Sequence, residues 1–170
     1  MRGRAGIFQL LLLLATVGGS LQARAQVPDS GRGTGFRLPP PDDPFWINQG
    51  SCGSCWAFAT ISVAEAAIRI RDGEVVDLSE QHLLGCNSSG WGCSGALWAY
   101  QWLIDTQDNC GRIGSLLESQ LPYTGSDSDC NCAPQPVYRF NSWGYVNGLV
   151  PSVQDIKAAL MQYGPIGAGV

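Results

Sequence analysis

Cys52 and Cys55 stand close together in "NQGSCGSCWAF", residues 48–58, with Gln49 just upstream of both. Three chemistries use such residues: a dithiol that cycles with a disulfide, half of a zinc clip, or a thiolate armed as a nucleophile. A redox Cys-x-x-Cys pair follows a strand in a βαβ context, and no strand pattern precedes Cys52. A zinc site needs a second ligand pair. Cys130 and Cys132 are too close together for one, and Cys86 and Cys93 too far apart. The nucleophile reading draws on position. "SCWAFATISVAEAAIRI" predicts a helix from Ser54, with Ser54 as N-cap and many strong helix formers. Cys55 then lies at the leading end, where unpaired N–H groups and the helix dipole favour thiolate over thiol. Gln49, beyond a glycine turn, is placed to bring an amide back over that sulfur. Together with the backbone N–H of Cys55 it would bind a developing oxyanion.

Other elements must hold this pair. Apolar residues fill most faces of the first helix, so it should be deeply buried, ending at Asp72-Gly73. "DLSEQHLLGC" predicts a short second helix capped by Ser79, and a third is expected from near Ser94 through "ALWAYQWLI". "PSVQDIKAALMQYGP" carries a capping box, Ser152 with Asp155, and stops at Gly164-Pro165. "VYRFNSWGYV" and "IGAGV" predict strands. Helices come first and strands late, which is an α+β order. Trp91, Trp98, Tyr100 and Trp102 either line a groove or, as is commoner for such residues, pack on the central helix. Asn87-Ser88-Ser89 is a glycosylation acceptor sequence.

Composition narrows the setting. The chain has 170 residues. Arg2 and Arg4 precede "IFQLLLLLATV", a run too short to span a bilayer comfortably, and small residues flank Arg24. That order predicts a secretory signal peptide over residues 1–25, cut after Ala25, rather than an anchor. Its removal takes three of ten basic side chains and none of fourteen acidic ones, leaving a formal charge of −7. Nucleic acid is excluded as a partner, because phosphate binding needs clustered Lys and Arg. No stable membrane insertion is expected after cleavage. Residues 26–45, with "LPPPDDPF", predict an extended lead-in. All seven cysteines follow it. In an exported chain most should pair, and an odd number leaves one thiol over.

"NQGSCGSCWAF", then "LSEQ", "GCSGA" and "LPYTG", resembles the papain family of cysteine peptidases, which includes the cathepsins, from about Trp46 to Val170. The resemblance implies a two-domain α+β fold, a helical domain over 46–136 and the start of a β-rich, barrel-like domain over 137–170. It implies Cys55 as nucleophile, Gln49 as oxyanion donor and Trp56 as a packing residue. Ser94, Gly95 and Ala96 match the segment that binds substrate backbone, where Ala96 replaces a usual glycine and its methyl hinders close approach of a peptide. Bridges Cys52–Cys93 and Cys86–Cys130 are implied, which leaves Cys110 and Cys132 to bond to each other and Cys55 alone. The substrate would be a peptide or protein, cleaved through a thioester acyl-enzyme with no metal or other cofactor. The compartment would be extracellular or lysosome- or vacuole-like. The oligomeric state is not legible.

The family's reaction also uses an imidazole oriented by an asparagine. His82, the single histidine, falls on a helix away from the cleft and is expected to be a surface or packing residue. Asn141, in "NSWG", is read as chain entering the second domain, not as the orienting asparagine. The catalytic histidine is expected from strands after Val170, and the long helical pro-segment of family zymogens does not fit between Ala25 and Trp46. The 170 residues alone are therefore expected to be inactive. The alternatives are a catalytically incomplete binding or inhibitory relative and, less favoured, a thiol oxidoreductase with a reversible Cys52–Cys55 bridge.

Overall fold

The computed structural model describes residues 48–96, 99–148 and 150–169, together with the main chain of 9–14. The order is β1 (Gln9–Leu14), α1 (Cys55–Asp72), α2 (Glu80–Cys86), β2 (Ser142–Tyr145), α3 (Val153–Tyr163) and β3 (Ile166–Gly169). The proposed cleavage point at Ala25, the lead-in 26–45 and Trp98 lie outside the described residues.

α1 is the axis of the molecule. Trp56, Ala57, Ile61, Ala64 and Ile68 are buried along it, and Gly73 ends it at φ +74, where its N–H bonds the Arg69 carbonyl. That left-handed geometry strains any residue with a Cβ, so Asp72-Gly73 stops the helix as its composition predicts. All seven residues of α2 are buried. Leu78, Leu83 and Leu84 pack with Ile61, Ile68, Trp102, Leu103 and Phe140 in one core. A smaller cluster of Leu116 and Leu121 surrounds the Cys86–Cys130 bridge. Ser79 caps α2 by accepting from the His82 N–H at 3.0 Å. Ser152 and Asp155 form the expected box at the start of α3, which buries only Ala159.

The third helix expected from Ser94 does not form as a helix. Ser94 and Gly95 lie in a turn, with Gly95 at φ +101 and bonded back to the Gly92 carbonyl at 3.0 Å. Among the described residues of that run only Gln101–Leu103 winds, as a 3-10 turn. Ala99, Tyr100, Trp102 and Leu103 are all buried, and placing that many neighbouring side chains in the core overrides the run's helix propensity.

The strands form one antiparallel sheet in the order β2-β1-β3. Leu11 pairs with Tyr145 and Leu14 with Ser142 on one side, and Gln9 with Gly169 and Leu12 with Ile166 on the other. The middle strand thus comes from the apolar run expected as a leader.

Candidate active site

The loop before α1 is held at several points. Gln49 Nε2 donates to the Cys52 carbonyl at 3.0 Å, which uses one of its two amide hydrogens. Cys52 bridges to Cys93 with a Cα–Cα separation of 4.5 Å, and the Gly53 N–H donates to the Cys93 carbonyl at 2.9 Å. A Cβ at Gly53 would run into that same carbonyl, so the approach of the two segments requires glycine. Cys55 follows as the first residue of α1, exposed, while the other six cysteines are bridged as Cys52–Cys93, Cys86–Cys130 and Cys110–Cys132. Its backbone N–H, the first of α1, has no intrahelical acceptor, whereas that of Ala57 already donates to the Ser54 carbonyl at 2.8 Å. Ser54 occupies the N-cap position without a side-chain cap, contrary to expectation, because its hydroxyl lies 2.6 Å from the Tyr123 hydroxyl.

The strip carrying Ser94, Gly95 and Ala96 sits beside this loop, joined to it by the Cys52–Cys93 bridge. The Cys93 N–H donates to Asp127 Oδ1 at 2.7 Å, and Trp56 Nε1 donates to the Gly92 carbonyl at 3.2 Å. Trp56 also meets Trp91 edge-on, ring centroids 5.8 Å apart. Ser94 and Gly95 are exposed and Ala96 half-buried, so the strip presents its backbone outward next to the Cys55 helix end. Sequence reasoning attached no role to Asp127 or Tyr123. Tyr123 was visible only as a letter in "LPYTG".

His82 is fully buried, a packing residue and not a surface one. Its ring meets Trp102 edge-on at 5.0 Å. The Leu116 N–H donates to Nδ1 at 3.4 Å, so the ring hydrogen sits on Nε2 and is directed at Asp108 Oδ2, 3.1 Å away. Burial pushes the imidazole down to about 4. Burial by itself would raise Asp108, but hydrogen bonds from Arg112 and His82 hold it below the usual carboxylate range. Arg112 Nε donates to Asp108 Oδ2 at 2.7 Å, and Nη1 reaches the carbonyls of Asn131 and Pro134. With both nitrogens engaged, His82 orients this network and is not poised to serve Cys55. Asn141 lies exposed just ahead of β2.

Asn87 is buried, and its Nδ2 is directed to the carbonyls of Leu83, Leu84 and Trp91 at 2.8–3.0 Å. The glycosylation sequence is therefore closed in the folded chain, because the acceptor nitrogen ends α2. Among the described residues three clusters gather potential metal ligands: Cys110, Cys130 and Cys132; Cys52, Cys93 and Asp127; and His82, Cys86 and Asp108. Every sulfur in them belongs to a disulfide, whereas the ligand form is the thiolate, so these donor sets do not fit a metal. Among the described residues no helix is long and apolar enough to cross a membrane.

The family model described as papain family cysteine protease matches residues 45–170. The senescence-specific cysteine protease SAG12 of Arabidopsis thaliana is 34% identical over 125 residues, covering 72% of this chain and 34% of the relative. Zingipain-2 of Zingiber officinale is 40% identical over 100 residues, covering 56% and 42%. Mouse pro-cathepsin H is 32% identical over 127 residues, covering 70% and 35%. The crystal structure of the ragweed pollen allergen Amb a 11, a cysteine protease in its proform, superposes with a TM-score of 0.57 at 33% identity, covering 68% of this chain and 34% of that one. The chain thus spans about a third of the length of most of these relatives. Its α+β architecture is papain-like, and with the family model matched over most of its length the chain belongs to the papain family of cysteine proteases.

Proposed function

We propose that the protein is a cysteine endopeptidase that hydrolyses peptide bonds through a thioester on Cys55. The observation that carries this reading is the placement of Cys55: the one unbridged cysteine, exposed, first in α1, next to the loop that bears Gln49. The Cys55 thiolate attacks the scissile carbonyl. The oxyanion is taken by the Cys55 N–H and the remaining Gln49 amide hydrogen. The exposed backbone of Ser94, Gly95 and Ala96 aligns an extended substrate, with the Ala96 methyl limiting how closely it approaches. The substrate is a peptide or protein. Residues 1–25 direct export as a leader, and cleavage after Ala25 would take β1 out of the sheet; 26–45 form a lead-in, 46–136 the helical domain and 137–170 the start of the β-rich domain. The compartment is extracellular or lysosome- or vacuole-like.

Turnover also requires a base, and His82 does not supply it. A second reading rests on that: the 170 residues bind a peptide, or inhibit, without turning it over. Iodoacetamide labelling with mass mapping, run beside cleavage of a fluorogenic peptide amide, separates the two. Cys55→Ala should abolish labelling, and in a longer form that supplies the base it should abolish cleavage while Gln49→Ala lowers the cleavage rate roughly a hundredfold. Cleavage that survives Cys55→Ala would refute the peptidase reading. Labelled Cys55 with peptide binding and no cleavage supports the second reading.

A further inference from the structure

The loop that carries the reactive groups is closed by a side chain outside it. The Tyr123 hydroxyl donates to the Gln49 carbonyl at 2.9 Å and lies 2.6 Å from Ser54 Oγ. A phenol has one proton. With that proton on Gln49, the Ser54 hydroxyl is the donor of the second bond. A directed chain therefore runs from Ser54, immediately before Cys55, through Tyr123 to Gln49.

Tyr123 is itself firmly seated. Its N–H donates to Glu118 Oε1 at 2.6 Å, and its ring meets Phe58 of α1 edge-on at 4.9 Å. Next to it, the Thr124 N–H donates to Gln81 Oε1 of α2 at 3.0 Å, and the Thr124 hydroxyl donates to Asp129 Oδ2 at 2.6 Å. The phenol thus links the residue that bears the side-chain amide to the residue that introduces the α1 end, and it does so from a base anchored on α1 and α2.

We propose that Tyr123 is a positioning residue for this site: its hydroxyl fixes the Gln49 amide relative to the Cys55 N–H, so that both donors converge on one oxygen. The inference rests on the reading of Cys55 as nucleophile and Gln49 as oxyanion donor. Without the hydroxyl, the Gln49 carbonyl and Ser54 hydroxyl both lose their partner and the two ends of the loop are untied. The donors then lose one of the ties that set their geometry, leaving the Gln49 amide held through Cys52 alone, while the sulfur itself stays exposed.

Two reagents separate these effects in the protein and in Tyr123→Phe, which keeps the ring against Phe58. Iodoacetamide alkylates Cys55 without forming an oxyanion. A peptide aldehyde forms one: the thiolate sulfur bonds the carbonyl carbon, the carbonyl π pair moves to oxygen, and that oxygen then takes a proton from solvent. The expected result is a roughly 10- to 100-fold weaker aldehyde complex, as small misplacement of catalytic groups produces, with an unchanged iodoacetamide rate and thermal midpoint. Ser54→Ala, which leaves the Tyr123–Gln49 bond in place, should weaken the aldehyde complex less. Equal aldehyde affinity in Tyr123→Phe and the parent overturns the positioning role alone. A parallel loss of iodoacetamide rate, aldehyde affinity and thermal midpoint overturns it too, by showing a general structural defect. A parent protein that takes iodoacetamide but no aldehyde overturns the peptidase reading beneath it.

Discussion

At the scale of single residues, environment decides what a side chain does. Cys55 and the six bridged cysteines share one chemistry, but only Cys55 is kept from a partner, by its place at the head of α1. His82 has the right ring for acid–base work, yet its two nitrogens face Asp108 and the Leu116 N–H inside the core. Asn87 shows the same logic. An exposed asparagine in its sequence would be a glycan acceptor, whereas the buried one shares its two amide hydrogens among three carbonyls. We expect no glycan at Asn87 on the folded protein, checked by intact mass after secretion from a glycosylating host. Asn87→Ala should destabilise the fold by about 1–3 kcal/mol in urea titration, because buried carbonyls lose their donor.

At the scale of elements, two serines that look alike in sequence have different weights. Ser152 caps the exposed α3 and its loss removes a capping box, so Ser152→Ala should cost about 1 kcal/mol. Ser79 caps the buried α2 and also donates to the Leu121 carbonyl at 2.6 Å. Ser79→Ala therefore leaves a buried acceptor unpaired as well, and should cost about 2 kcal/mol or more. Thermal unfolding of the two variants gives the comparison, with the larger drop expected for Ser79→Ala. Both caps were legible because a cap is a local pattern. The third helix was misread because its fate is set by burial of Ala99, Tyr100, Trp102 and Leu103 against α1 and α2, which no local pattern contains.

At the scale of the whole molecule, buried titratable groups set the pH dependence of stability. Burial is the main cause that pushes Glu65 up to about 7 and Glu80 up to about 8. Their neighbours Asp77 and Glu118 push in the same direction, while backbone N–H bonds oppose it. A carboxyl whose folded pKa is raised stabilises fully below its unfolded value, near 4.5, and loses that contribution as pH rises through the folded value. His82, pushed down, works the other way: its contribution is present above 6.5 and is lost as pH falls toward 4. Between these limits two carboxyls outweigh one imidazole. Stability should therefore peak in mild acid and decline through pH 7 and 8, a profile suited to an acidic compartment. Urea midpoints measured from pH 4 to 8 test this. Glu80→Gln should flatten the decline by at least about 1.4 kcal/mol, the value of one pKa unit.

The sequence by itself determined a cysteine at the head of α1, the stop of that helix at Gly73, the caps of α2 and α3, and the family. Each of these is a short-range pattern: a residue type at a helix start, a turn residue after a periodic run, or a densely spaced motif. Only the tertiary structure decided what His82, Asn87 and Tyr123 do and how far the third helix winds. Leu11 and Leu12 likewise found their place between β2 and β3 only there. Those outcomes depend on groups distant in sequence meeting inside a low-dielectric core. There an unpaired polar atom is costly, so its partner, and not its neighbours in the chain, fixes its role.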